Sequence, residues 1–263
     1  MSAHRGAPLR IPGLELAGDV AGFGWRVLAG LPRTRAYLGE VLRQIALLMT
    51  GSTAVIVFAC LLVGQSCGLE SAYLARAIST PSLAAGATFG CAVLYIVPFL
   101  FGFVLAAKVG CGFVAEIGAM RVAEELDALD VMGVDSIAFV AGARMLAALV
   151  ALPVIYVLAI AAADLGGYLQ AALRFGDVSM GTYTTYRYAF FGSTDLLLSA
   201  AQGLVIALVV MTVALYYGFT ARGGPVEVGI ATARSMTVNL VLVTLVNLVF
   251  VVLFLLKARL PIA

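Results

Sequence analysis

Five stretches of this chain run without a charged side chain for long enough to cross a lipid bilayer, and no other feature constrains the fold as much. They lie between Arg43 and Glu70, Arg76 and Lys108, Arg144 and Asp164, Asp195 and Arg222, and Arg234 and Lys257. About 30 Å of hydrocarbon needs about 20 helical residues. A backbone in lipid must satisfy its own hydrogen bonds, so each stretch is predicted to be a helix. The expected spans are residues 45–67, 82–107, 138–163, 196–218 and 235–256, within a single domain over 1–263. The expected fold class is therefore all-α and polytopic. Composition excludes the soluble alternative, because 63% of the 263 residues are hydrophobic and 11% are charged. A water-facing domain carries about 25% charged residues.

Charge and rare residues remove several function classes. A net charge of +2 offers no basic field for nucleic acid. The only histidine is His4, so imidazole-based metal or acid–base chemistry is not expected, and neither a metal site nor a cofactor is predicted. Cys60, Cys67, Cys91 and Cys111 sit in or beside apolar segments without C-x-x-C spacing. They are expected to be small packing residues rather than disulfide partners. Pro12, Glu15 and Asp19 interrupt the apolar run that a cleavable signal would need. Pro81 suits a helix start, whereas Pro98 inside the second span is expected to kink it.

Basic residues set the expected orientation. With a cytoplasmic N-terminus, the inner segments hold Arg5, Arg10, Arg26, Arg33, Arg35, Arg43, Lys108, Arg121, Arg144, Arg222 and Arg234. The outer segments hold only Arg76, Arg174, Arg187, Lys257 and Arg259. The excess inside predicts N-terminus in and C-terminus out, across a plasma membrane. Residues 14–31 read as an amphipathic helix lying in the inner interface. Glu15, Asp19 and Arg26 share one stripe, Leu16, Val20, Phe23, Val27 and Leu31 form an apolar face, and Trp25 suits the headgroup level.

The most charged segment lies between the second and third spans, on the expected inner side. Over 116–133, Val122, Leu126, Leu129 and Met132 (or Val131) recur at helical spacing, and Gly133 is a C-terminal stop. Arg121 is spaced to pair with Glu124 or Glu125. The pattern predicts a short amphipathic helix with an acidic face, either a solvated connector or a docking helix for a cytoplasmic partner. The string from Glu116 through Gly118, Met120-Arg121-Val122, Glu124, Leu126-Asp127-Ala128-Leu129 and Val131-Met132-Gly133-Val134 closely resembles the signature of the MlaE/YrbE family of ABC-transporter permeases. A second stretch, Gly223-Gly224-Pro225-Val226-Glu227-Val228-Gly229-Ile230-Ala231-Thr232-Ala233-Arg234-Ser235, resembles that family's motif before its last span. The likeness extends over the interfacial helix and all five spans, and is strongest to the actinobacterial YrbE subunits of Mce lipid-uptake systems. One departure is Asn247, where members outside that branch commonly carry Asp midway along the last span.

That resemblance implies a lipid permease without bond chemistry of its own, powered by a separate cytoplasmic ATPase dimer. It also implies pairing with a second YrbE-type permease and assembly with periplasmic Mce-domain proteins. Glu116, Arg121, Glu124, Glu125 and Asp127 are then the expected coupling residues, with Gly223, Gly224, Gly229, Thr232 and Arg234 forming the loop motif. Residues agree with the division of labour, since no Gly-x-x-x-x-Gly-Lys-Ser/Thr string is present to hold ATP phosphates. No ionisable residue is expected deep in a span, which argues against an ion-coupled carrier. The polar residues there, Thr50, Ser52, Thr53, Gln202, Thr212, Thr244 and Asn247, are expected mainly to pack helices, and Gln202 and Asn247 are candidates for polar contact within the bundle. An apolar cavity with few polar anchors suits a fatty acid, sterol or phospholipid. The outer connection, 165–194, holds Tyr168, Phe175, Tyr183, Tyr186, Tyr188, Phe190 and Phe191, an aromatic belt expected to meet the Mce partner. Two other readings are a non-conducting membrane scaffold and a lipid-modifying membrane enzyme. The enzyme lacks a His, Cys or paired-carboxylate centre.

Overall fold

The computed structural model describes residues 12–77, 83–175 and 180–259. All regular structure among them is helical. Helix α1 covers Pro12–Thr34 and leads through a single 3₁₀ turn at Arg35–Tyr37 into α2, Leu38–Ala77. The second passage is assembled from α3 (Leu83–Phe89), a π-helical segment (Gly90–Ile96), α4 (Val97–Leu105), a second π segment (Ala106–Gly110) and α5 (Cys111–Val122). A short α6, Glu125–Val131, follows. A third π segment, Ile137–Gly142, opens α7, Ala143–Phe175. Then come α8 (Met180–Phe190), α9 (Ser193–Thr220) and α10 (Pro225–Arg259). Five helical passages are long and apolar enough to cross a membrane; four of them run through an expected span, and the second, Gly86–Val122, begins inside the span expected over 82–107. The chain is a multi-pass integral membrane protein.

The second passage is the centre of the bundle. Val93, Val97, Phe101, Leu105 and Ala106 are each fully enclosed. Its π segments explain how a proline fits there. Pro98 has no N–H, and in a regular helix its ring would press on the carbonyl of the residue four back. Just before it the helix widens, and Val97 N–H reaches the Ala92 carbonyl, five residues back. The expected kink is thus a widened turn. Pro81 lies outside the described residues.

Helix α2 packs along α7 at very short range. A Cβ at Gly64 would collide with the Ala163 carbonyl, and one at Gly166 with the Leu61 carbonyl. Gly64-x-x-x-Gly68 on α2 faces Ala163-x-x-x-Gly167 on α7, and one at Gly68 would lie 2.9 Å from the Gly167 carbonyl oxygen. Helices in lipid gain nothing from hiding apolar surface from one another, so close backbone contact between small residues is what holds such a pair. At one end, Cys67 of α2 and Cys91 of the first π segment are joined by a disulfide, with Cα atoms 6.0 Å apart. This corrects the expectation that all four cysteines are free packing residues. Sequence distance hid a pairing that only the hairpin between the first two passages creates.

The expected helix over 14–31 lies within α1, which packs on the protein itself. Phe23 and Val27 are 5% and 1% exposed, and Phe23 meets Tyr216 and Phe219 of α9 with ring centroids 6.0 and 5.7 Å away. Trp25 points the other way, 73% exposed. The connection over 165–194 is mostly helical, because α7 continues to Phe175 and α8 fills much of the remainder.

Candidate functional site

At one end of the bundle α5 finishes, the short α6 follows, α9 ends and α10 begins. The helix expected over 116–133 is therefore two helices, corrected by a break at Ala123 and Glu124. Glu124 adopts φ +59°, a left-handed conformation that no helix continues through. Its carbonyl accepts the Ala128 N–H at 3.0 Å, which starts α6 in a new direction. Gly133, at φ +79°, closes α6 while Val134 N–H bonds the Leu129 carbonyl at 3.0 Å.

Of the expected apolar seam, only Leu126 is buried, at 1% exposure. Leu129 is partly covered, whereas Val131 and Met132 are 89% and 69% exposed. Glu124 and Glu125 are exposed. Arg121 pairs with neither; its Nη1 lies 2.7 Å from Asp127 Oδ1, so the ion pair bridges α5 and α6 across the break. The left-handed residue turns the chain and removes the i,i+3 and i,i+4 geometry on which the expected pairing rested. What α6 presents to solvent is an acidic rim with two bare apolar side chains beside it.

Glu116 does not belong to that rim. Its Oε1 accepts from Arg144 Nη2 at 2.6 Å. Arg144, 4% exposed, also donates to the Val140 carbonyl at 3.2 Å and lies 5.6 Å from the centroid of the Phe113 ring. Arg144, which bounds the third apolar stretch, is enclosed in the base of α7. Glu116, 48% exposed at its side chain, is the counter-charge that makes this burial tolerable.

The two motifs of the sequence meet. Gly118 faces Val228, and a Cβ at Gly118 would lie 2.7 Å from Val228 Cγ1. Gly218 at the end of α9 similarly leaves room for Ile117. Gly223, at φ +100°, makes the turn from α9 to α10. Gly224 supplies the carbonyl that accepts Glu227 N–H at 3.0 Å, and Pro225 takes the first helical position, where its missing N–H costs nothing. Thr232 Oγ1 donates to the Val228 carbonyl at 2.8 Å, while Gly229 and Arg234 face outward. Helix α1 joins the same end: Arg33 lies 3.7 Å from Asp135, and Thr34 donates to the Ala138 carbonyl. Asp135 also caps the start of the third passage through Ile137 N–H and Ala138 N–H, both at 3.1 Å.

Deeper in the bundle, Gln202 Nε2 donates to Asn247 Oδ1 at 2.8 Å, joining α9 to α10. Tyr156 Oη lies 2.8 Å from Ser199 Oγ, which donates to the Val93 carbonyl at 2.9 Å. That second network ties three passages and was not foreseen; a tyrosine amid an apolar run in α7 was its only signal. Asn239 is fully enclosed, yet neither its Nδ2 nor its Oδ1 has a hydrogen-bond partner among the described residues.

At the opposite end, Tyr183 is 1% exposed and packs edge-on to Tyr168 at 5.5 Å. Burial pushes its phenol up, and the neighbouring Asp164 carboxylate adds to the rise. It is withdrawn from any partner surface, whereas Tyr186 and Tyr188 are 38% and 70% exposed. Among the described residues, no group of His, Cys, Asp and Glu is arranged to hold a metal ion.

Residues 41–253 match the family described as Permease MlaE. The chain is 28% identical to a probable ABC transporter permease protein of Rickettsia bellii over 60% of each chain. It is 24% identical to a probable ABC transporter permease protein of Rickettsia conorii, over 91% of this chain and 92% of that one. The intermembrane phospholipid transport system permease protein MlaE of Haemophilus influenzae is 26% identical over 80% of each.

Proposed function

We propose, from the premise that this chain belongs to the MlaE permease family, that it is the membrane subunit of an Mce-type ABC transporter for lipids. Two such subunits, identical or paralogous YrbE-type permeases, enclose an apolar cavity between them. Two cytoplasmic ATPases bind the end that carries α6, and Mce-domain proteins assemble at the end that carries α8. Transport runs inward, from the envelope to the membrane or cytoplasm.

The observation that carries this reading is the mechanical continuity of α6 with the bundle. The exposed acidic rim of Glu124, Glu125 and Asp127 stands on a helix anchored by Leu126 and braced by Arg121. Behind it, Glu116 grips α7 through Arg144, and Gly118 seats against α10 through Val228. A push on α6 is thereby delivered to two spans at once. Nucleotide state in the partner biases the permease between two arrangements, and the permease makes and breaks no covalent bond.

The test is charge reversal on the rim. With Glu124→Lys and Glu125→Lys together in the purified complex, lipid-stimulated ATP hydrolysis should fall about tenfold, as expected for a charged docking contact turned repulsive. Basal folding, read by size exclusion in detergent, should not change. Undiminished stimulation would reject the docking assignment.

A further inference from the structure

A second feature lies away from the α6 end. Beneath α8 a cavity of about 600 Å³ opens between α7 and α9. Its walls are apolar: Val157, Ile160 and Ala161 from α7, and Leu196, Leu197 and Ala200 from α9. Val157 and Leu197 are 61% and 69% exposed, so the groove opens sideways, toward where the bilayer lies. Its head is different. Asp164 and Arg187 both line it and are ion-paired to each other. Their side chains are 21% and 18% exposed, and the Arg187 guanidinium lies 5.6 and 4.5 Å from the ring centroids of Phe89 and Tyr188.

We propose that this groove binds a neutral, single-chain lipid whose polar head is a hydroxyl, with the chain between α7 and α9 and the hydroxyl at Asp164 and Arg187. The volume lies within the usual range for small-molecule sites. The head follows from the charge already present. Asp164 and Arg187 neutralise each other, and the apolar walls make a third charge expensive. An anionic head would gain one hydrogen bond from Arg187 but would leave a net negative cluster out of water. A hydroxyl meets both partners, accepting from a guanidinium N–H that Asp164 does not use and donating to the carboxylate. A cationic head fails by the same argument with the signs reversed.

This proposal rests on the lipid-permease reading only in taking a bilayer as the surroundings. Its test is binding without nucleotide, so its failure leaves transport untouched, and failed transport leaves it standing. The purified protein in phosphatidylcholine nanodiscs is photolabelled with hexadecanol carrying a mid-chain diazirine, and the adducts are mapped by peptide mass spectrometry. Labels should fall on residues 157–164 and 196–200, and unlabelled hexadecanol should compete about tenfold better than hexadecyl sulfate, because only the sulfate adds a buried charge. Ala161→Phe with Ala200→Phe fills the groove and should remove those adducts while leaving Asp164 and Arg187 in place. Asp164→Asn should abolish or reverse the preference between the two competitors, because Arg187 is then left unpaired and the sulfate supplies its counter-charge. Adducts that persist in the filled variant, or equal competition by the sulfate in the native protein, would overturn the proposal.

Discussion

A guanidinium at 4% exposure needs a counter-charge, and Glu116 supplies it to Arg144 from the neighbouring helix. Breaking a fully buried ion pair from one side costs about 3–5 kcal/mol, because the remaining charge stays unpaired. Water reaches Glu116, 48% exposed, so part of that cost is screened. Glu116→Ala should therefore lower stability by about 1–3 kcal/mol. Thermal unfolding in detergent, followed by far-ultraviolet circular dichroism, checks this. Adding Arg144→Met should restore much of the loss, since no charge then remains buried. An unchanged melting temperature in Glu116→Ala would show that Arg144 is compensated elsewhere. In the sequence, Arg144 reads only as a border of an apolar run, because hydropathy records where a charge falls along the chain and not which way it points. The motif singles out Glu116 in the sequence, but nothing there points to Arg144 as its partner. Arg121 illustrates the same limit: its spacing to Glu124 and Glu125 was correct for a straight helix, and one left-handed residue redirected it to Asp127.

At the level of helices, all five passages were legible, because absence of charge over a bilayer's thickness is a property of sequence alone. Their internal breaks were not. Of the π segments at Gly90–Ile96, Ala106–Gly110 and Ile137–Gly142, only the first, just before Pro98, lies where the sequence marks a distortion. The glycines that set helix spacing were visible only as composition until their opposite numbers were known. Gly118 gives the sharpest test. Leu at this position must displace either α5 or α10, since even a Cβ would lie 2.7 Å from Val228 Cγ1. Overpacking of this kind costs about 1–3 kcal/mol. More tellingly, it should separate the α6 lever from α10. Gly118→Leu should leave the ATPase bound, as judged by co-purification, but sharply reduce lipid stimulation of hydrolysis. Val228→Ala in the same chain should recover part of the coupling. Lost stimulation that Val228→Ala cannot rescue would place the defect elsewhere than in this contact.

For the molecule as a whole, orientation decides whether the proposed division of labour is possible, because ATP-hydrolysing subunits reach only the cytoplasmic face. Two independent features support the α6 end facing inward. Arginine and lysine are concentrated on the segments at that end, in the sense that membrane insertion favours. The Cys67–Cys91 disulfide joins the first two passages toward the other end, and disulfides persist on the oxidising side of a bacterial plasma membrane. Single reporter cysteines can test this in a chain with Cys60→Ala and Cys111→Ala, the two free thiols. Val131→Cys reports on α6 and Tyr188→Cys on α8, at positions 89% and 70% exposed. A membrane-impermeant maleimide applied to intact cells should modify the cysteine at 188 and spare the one at 131. Permeabilisation should expose both, which controls for intrinsic reactivity. The opposite pattern would turn the whole bundle over. The acidic rim would then face the envelope and the aromatic end the cytoplasm, and no ATPase could drive transport through α6.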